Sequence, residues 1–155
     1  MNIEPTIKVV YNNKRANFDY ELQDRYEAGV ALTGTEIKSI RASKVSLQKS
    51  YVQARGDELW LMEANIAQYD HGNIHNHDPE RPRKLLLHRR EIDKIMAALA
   101  QKGLTLVPTR LYLKDGRAKV EIALARGKRK FDKRADLAKK DSDRQVERAL
   151  REKYR

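Results

Sequence analysis

The sequence predicts a mostly β chain: a small antiparallel barrel carrying short helices and followed by a basic tail. Two observations carry this. Strand-like stretches arrive in adjacent pairs around tight turns, as antiparallel hairpins require, whereas a parallel sheet would need a crossover helix after each strand. Charge is also segregated, because residues 126–155 hold 13 Lys or Arg against 6 Asp or Glu and so carry +7 of the chain's formal +11.

Taken in order, Phe18, Tyr20 and Leu22 alternate with polar residues, and Val30 to Leu32 follow the break Glu27-Ala28-Gly29, which predicts two short strands. Thr33 and Glu36 stand at capping-box spacing, with Ile37 and Ile40 on one face of a short helix ending near Arg41. Tyr51–Arg55 and Glu58–Met62 flank Gly56-Asp57, and Leu111–Lys114 and Lys119–Leu124 flank Asp115-Gly116, giving two hairpins. Between the hairpins, Ile92, Ile95, Met96 and Leu99 form a helical stripe that Gly103 closes. Residues 71–83 have no apolar period and contain two prolines, which predicts a loop. Such a set of short strands with two helices suits an OB-like barrel. The expected organisation is a barrel over residues 1–125 and a tail over 126–155.

Composition narrows the setting. The chain of 155 residues has no cysteine, so it has neither a disulfide framework nor thiolate chemistry, which fits a reducing compartment. The N-terminal MNIEPTIKVV lacks the apolar stretch of a secretory signal, and the leucine run Leu85–Leu87 is far too short to span a bilayer. A cytoplasmic location without a membrane partner is expected. A basic helix bound to an acidic membrane would need a broad apolar face, and the tail offers only Val146, Leu150 and Tyr154 in that register. A nucleic acid is the favoured polyanion.

Catalytic chemistry finds little support. His71, His75 and His77, with Asp70 or Asp78, could ligate a transition metal in a hydrolase. No second cluster accompanies them, so histidines of a solvated polar loop are the preferred reading. No nucleophile elbow, phosphate loop or zinc-protease motif occurs, and acidic residues lie singly among lysines. Neither catalytic residues, metal nor cofactor are expected. Arg81, Arg83, Lys84, Arg89 and Arg90 flank Leu85-Leu86-Leu87, which reads either as a cationic rim gripping phosphates or as a buried strand with charged ends. The amides of Asn12 and Asn13, beside Lys14 and Arg15, suit unpaired bases or an ordinary loop. A general single-strand-binding module would stack bases on exposed aromatics, and here only two Phe, one Trp and seven Tyr occur.

Several motifs in order carry a resemblance: Asn13-Lys14-Arg15-Ala16, Tyr26-Glu27-Ala28-Gly29, residues 34–41 (GTEIKSIR), residues 81–88 (RPRKLLLH), and Gly127-Lys128-Arg129 with Asp132-Lys133-Arg134. From Tyr11 to the C-terminus the chain resembles the SsrA-binding protein (small protein B) family of bacterial ribosome rescue. The resemblance implies an OB-fold adaptor, without an active site, that binds the tRNA-like domain of transfer-messenger RNA (tmRNA) and delivers it to stalled 70S ribosomes. It places Asn13, Glu27 and Leu86 on RNA-contact positions, with Lys14, Arg15, Arg83, Lys84 and His88 beside them. It also implies a tail that enters the empty mRNA channel near the ribosomal RNA of the decoding centre, disordered when free and helical there. That surface would comprise Lys128, Arg129, Lys130, Asp132, Lys133, Arg134, Arg144, Arg148 and Arg151. Phe18 stands where relatives often have His, and Arg144 where some carry an aromatic residue. Leu86 is either an apolar platform for an unstacked base or barrel core, because three adjacent leucines of one strand cannot share a face.

Overall fold

The computed structural model describes residues 4–69, 76–101, 103–128 and 130–153. Seven strands form one antiparallel sheet: β1 (Ile7–Asn12), β2 (Tyr20–Val30), β4 (Tyr51–Arg55), β5 (Glu58–Met62), β7 (Arg83–Leu86), β8 (Leu104–Lys114) and β9 (Arg117–Gly127). Their order is β1-β8-β9-β2-β7-β5-β4, and the far edge β4 packs back on β8, so the sheet curls around one core. A separate pair, β3 (Val45–Ser46) and β6 (Asn65–Ile66), lies beside it, with helices α1 (Lys14–Asp19), α2 (Gly34–Arg41) and α3 (Arg89–Leu99). Leu59, Leu61, Leu85, Ile95, Val120 and Ile122 are among the residues that fill the interior. The mostly β, antiparallel class expected from the sequence is the class observed.

The local signals that were self-sufficient hold. Around Gly56, which adopts φ of +60°, the hairpin of β4 and β5 has the predicted bounds. In α2 the Thr33 hydroxyl accepts from the Glu36 amide at 3.4 Å, and the Thr33 amide donates to the Glu36 carboxylate at 2.8 Å. Ile95 buries the α3 stripe, with Met96 and Leu99 packed partly against the core.

Elsewhere packing overrides pattern. The expected pair of strands between Phe18 and Leu32 is one strand, β2, irregular between Leu22 and Arg25, and Phe18 belongs to the preceding α1. Gly29 is no break, since it pairs with Lys119 on one side and Leu86 on the other. The second hairpin is much longer than expected, with β8 and β9 of 11 residues each. Its alternation is erased because the outer face is covered too: Ala16 of α1 packs on Val107 and Ala125. Pro108 sits at the register shift of β8, the place in a sheet where a missing amide costs least.

Helix α4 (Lys130–Lys153) follows β9 and extends about 36 Å for its 24 residues. Barrel hydrogen bonding reaches past residue 125, because Arg126 and Gly127 pair with Glu21 and Tyr20, and the Lys128 amide donates to the Asp19 carbonyl at 3.0 Å. The helix meets α1 near this root, while Leu137 and Val146 lie half exposed along it. Among the described residues no helix is long and apolar enough to cross a membrane.

Candidate nucleic-acid interface

The site begins with a missing side chain. On the outer face of β2, Gly29 lies between Lys119 of β9 and Leu86 of β7, and a Cβ at Gly29 would stand 3.3 Å from that of Leu86. The glycine thus leaves a saddle between a cation and an apolar side chain. Along β7, Arg83 and Leu85 point inward while Lys84 and Leu86 point outward, as strand alternation requires. Leu86 is 52% exposed, so it is not barrel core, and Leu85 is the core leucine. The resulting groove, about 460 Å³, is lined by Glu27, Gly29, Leu86, Leu87, His88, Glu91 and Lys119. Glu27 and Lys119 also border an adjoining hollow with Lys114, Asp115 and Arg117.

Glu27 is held in place as an anion. Its carboxylate accepts from the Tyr112 hydroxyl at 2.5 Å and from the Lys114 ammonium at 3.2 Å. The Tyr112 hydrogen bond, with Lys114 and Lys119 beside it, outweighs partial burial and keeps this carboxyl below the usual glutamate range. Burial and the same carboxylate push the Tyr112 phenol up, so it stays a donor, and the Arg110 guanidinium lies over its ring at 4.8 Å. One strand pair away, Glu121 accepts from Arg25 at 2.9 Å, Thr109 at 3.0 Å and Arg110 at 2.8 Å. Burial raises the Glu121 carboxyl, and these hydrogen bonds more than reverse it. Such a face offers an ionised acceptor with spare lone pairs beside an apolar patch and several cations.

The expected RNA residues divide. Glu27, Leu86 and His88 converge on the groove, and Lys84 shares the outer face of β7, where it pairs with Glu58 at 3.2 Å. Lys14 and Arg15 are exposed on α1, which packs at the Leu22 end of β2, five residues and on the order of 17 Å from Glu27 along the strand. They do not border the groove. Asn13 is 7% exposed; its side chain donates to the Pro108 carbonyl at 2.9 Å and its amide to Thr109 at 2.8 Å, so it fastens the start of α1 to β8.

Arg83 requires a correction. A phosphate-gripping rim needs an exposed guanidinium, and this one is fully buried. Its Nε donates to Glu36, Nη1 to the Ala64 carbonyl at 2.8 Å and Nη2 to the Pro79 carbonyl at 3.1 Å, and its burial keeps it from any phosphate at the surface. Burial pushes Glu36 up, but hydrogen bonds from Arg81, the Thr33 amide and Arg83 prevail and hold it ionised below its usual range.

Lys119, like Glu91, is a groove residue that sequence reasoning missed. Arg117, Lys119 and Glu121 alternate with the inward Ala118, Val120 and Ile122, a signal that marks the outer face of β9. Only the register, which the sequence does not display, sets Lys119 beside Gly29.

His77 also departs from expectation, being buried rather than solvated. Its ring meets the Thr35 hydroxyl and the Ile66 carbonyl, each at 2.8 Å, and so joins α2 to β6. Asp70, His71 and His75 lie outside the described residues; no metal-ligating group of three is found among the described residues. Along the tail, Arg134, Arg144 and Arg148 are exposed, Lys128 sits at the root, and Lys130, Asp132, Lys133 and Arg151 fall within α4. Arg129 lies outside the described residues.

The family model for the SmpB protein matches residues 10–152. The "SsrA-binding protein" of Roseiflexus sp. (strain RS-1) is 54% identical over 149 residues, covering 96% of this chain and 94% of the relative. That of Carboxydothermus hydrogenoformans is 48% identical over 147 residues, covering 95% and 99%. A chain of the solved structure described as "tmRNA-SmpB: a journey to the center of the bacterial ribosome" superimposes with a TM-score of 0.66 at 46% identity, covering 82% of this chain and 93% of that one.

Proposed function

This chain belongs to the SmpB protein family, and from that premise we propose that it is the tmRNA-binding adaptor of trans-translation, acting in the cytoplasm on stalled 70S ribosomes. The observation that carries this reading is the groove in which Glu27, Leu86 and Lys119 converge over Gly29. An apolar platform suits the face of an unstacked base in the elbow of a tRNA-like fold. An ionised carboxylate repels phosphates, so Glu27 selects a base amino group at that place and contributes orientation rather than affinity. Lys119, with Lys114 and Arg117 in the adjoining hollow, takes the neighbouring phosphates. The protein contributes binding and orientation to ribosome rescue, and no active site of its own.

The tail supplies the second contact. It leaves the barrel beside α1, well along β2 from the groove, so one surface holds tmRNA while the other faces the ribosome. Lys14 and Arg15, on the tail side, extend that second surface. Arg134, Arg144 and Arg148, with the other tail cations, neutralise ribosomal RNA phosphates of the empty mRNA channel near the decoding centre. A helix whose Leu137 and Val146 have no cover is marginal in water, so it becomes stably ordered on that RNA.

Competition binding tests the reading. The tRNA-like domain of tmRNA is expected to displace a mixed single-stranded RNA pool from the full chain, and Leu86→Ala is expected to weaken that domain by about tenfold without changing the urea midpoint. Equal affinity for the pool would instead favour a general single-strand-binding module.

A further inference from the structure

Strand β7 is short and its sequence is ambiguous. It pairs with β2 at Gly29–Leu86 and Val30–Leu85, and with β5 at Leu59–Leu85, Trp60–Lys84 and Leu61–Arg83. Strand register is normally specified by which residues are apolar, because a slip of one residue turns every side chain to the other face. Within the strand that instruction is missing: the inward pair Arg83 and Leu85 and the outward pair Lys84 and Leu86 each read as a cation followed by leucine, and Leu87, just past the strand, already borders the groove. Within the strand, a slip would bury Leu86 and expose Leu85, exchanging one leucine for another.

What separates the two registers is the shape of the cation. The buried guanidinium spans Glu36 of α2, the Ala64 carbonyl before β6 and the Pro79 carbonyl of the following loop, using Nε, Nη1 and Nη2 in one plane. Glu36 is itself fixed by Arg81 at 2.6 Å and by the Thr33 amide at 2.8 Å. An ammonium is a point charge with a tetrahedral set of donors and cannot reach these three acceptors together. Lys84 in the inward position would therefore strand buried carbonyls. Buried ion pairs add little stability compared with apolar replacements of similar volume, and their best-attested use is to fix a register.

We infer that Arg83, through Glu36, is a positioning residue that locks the register of β7 and so decides that Leu86 rather than Leu85 faces the RNA groove. The consequence for RNA rests on the proposed tmRNA-binding function; the lock itself does not.

The absence of cysteine from the chain makes the lock measurable. In full-length protein, Leu86→Cys is expected to react with a thiol reagent as an exposed group and Leu85→Cys on the order of a hundredfold more slowly, because it must wait for opening. Arg83→Lys is expected to remove at least tenfold of that contrast. The double variant Arg83→Met/Glu36→Leu, which leaves no unpaired ion, should fold and show the same loss. An unchanged contrast in both backgrounds overturns the inference, as does a double variant that fails to fold, since the pair would then serve stability. Binding of the tRNA-like domain should fall in Arg83→Lys, with no further fall when Leu86→Ala is added. If the thiol contrast is lost while binding persists, the lock stands and the Leu86 groove is the reading that fails.

Discussion

At the scale of single residues, Glu27 shows how a carboxylate is kept ionised on an outer sheet face: hydrogen bonds from Tyr112 and Lys114 favour its charged form and fix where it points. Glu27, Glu36 and Glu121 all titrate below the usual glutamate value of 4.5. A depressed carboxyl contributes stability that is fully present above its unfolded value and is lost as pH falls from there through its folded value. Urea midpoints should therefore be level above 4.5 and decline below it, and Tyr112→Phe, which removes the main cause of the Glu27 shift, should make that decline shallower. An acid limb unchanged in the variant would show that Tyr112 does not hold Glu27. Residue roles were the least legible part of the sequence. Arg83 and Lys84 are adjacent cations of similar character, and only the fold buries one and exposes the other. Asn13 looks like a polar surface residue until Pro108 and Thr109 are brought over it.

At the scale of elements, signals that close on themselves were readable, and signals that depend on a partner were not. A capping box and a glycine turn satisfy their hydrogen bonds locally, so α2 and the hairpin of β4 and β5 stand in the sequence with nearly their true bounds. Strand β1 and helix α1 are held by β8, and β2 is continuous because β9 pairs along most of it. The same dependence makes Gly29 more than a neutral strand residue. Gly29→Ala should push Leu86 by a few tenths of an ångström from its seat, since the new Cβ stands 3.3 Å from that of Leu86. Affinity for the tRNA-like domain is expected to fall about threefold to tenfold while far-ultraviolet circular dichroism stays unchanged. Retained affinity would mean the saddle does not touch RNA.

At the scale of the whole molecule, charge segregation toward the tail was legible, and the register that assembles the groove from β9, β2 and β7 was not, because pairing partners leave no trace in one sequence. The separation of groove and tail predicts a division of labour. A chain ending at Lys128, which preserves the pairing of Arg126 and Gly127, should bind the tRNA-like domain as the full chain does yet fail to support tagging of stalled peptides in a reconstituted translation assay. Loss of RNA affinity in that truncation would contradict the two-surface arrangement.

The root of the tail gives the molecule a mechanical character. Strand β9 ends at Gly127 and helix α4 begins at Lys130, and Lys128 between them is tethered to Asp19. Once the helix is ordered, that tether limits its freedom at the base. On the proposed function the protein would work as a gauge: a lever seated in an open channel is expected to set the cargo on the barrel at one distance and angle from it, and a channel still occupied by message to keep the cargo out of place.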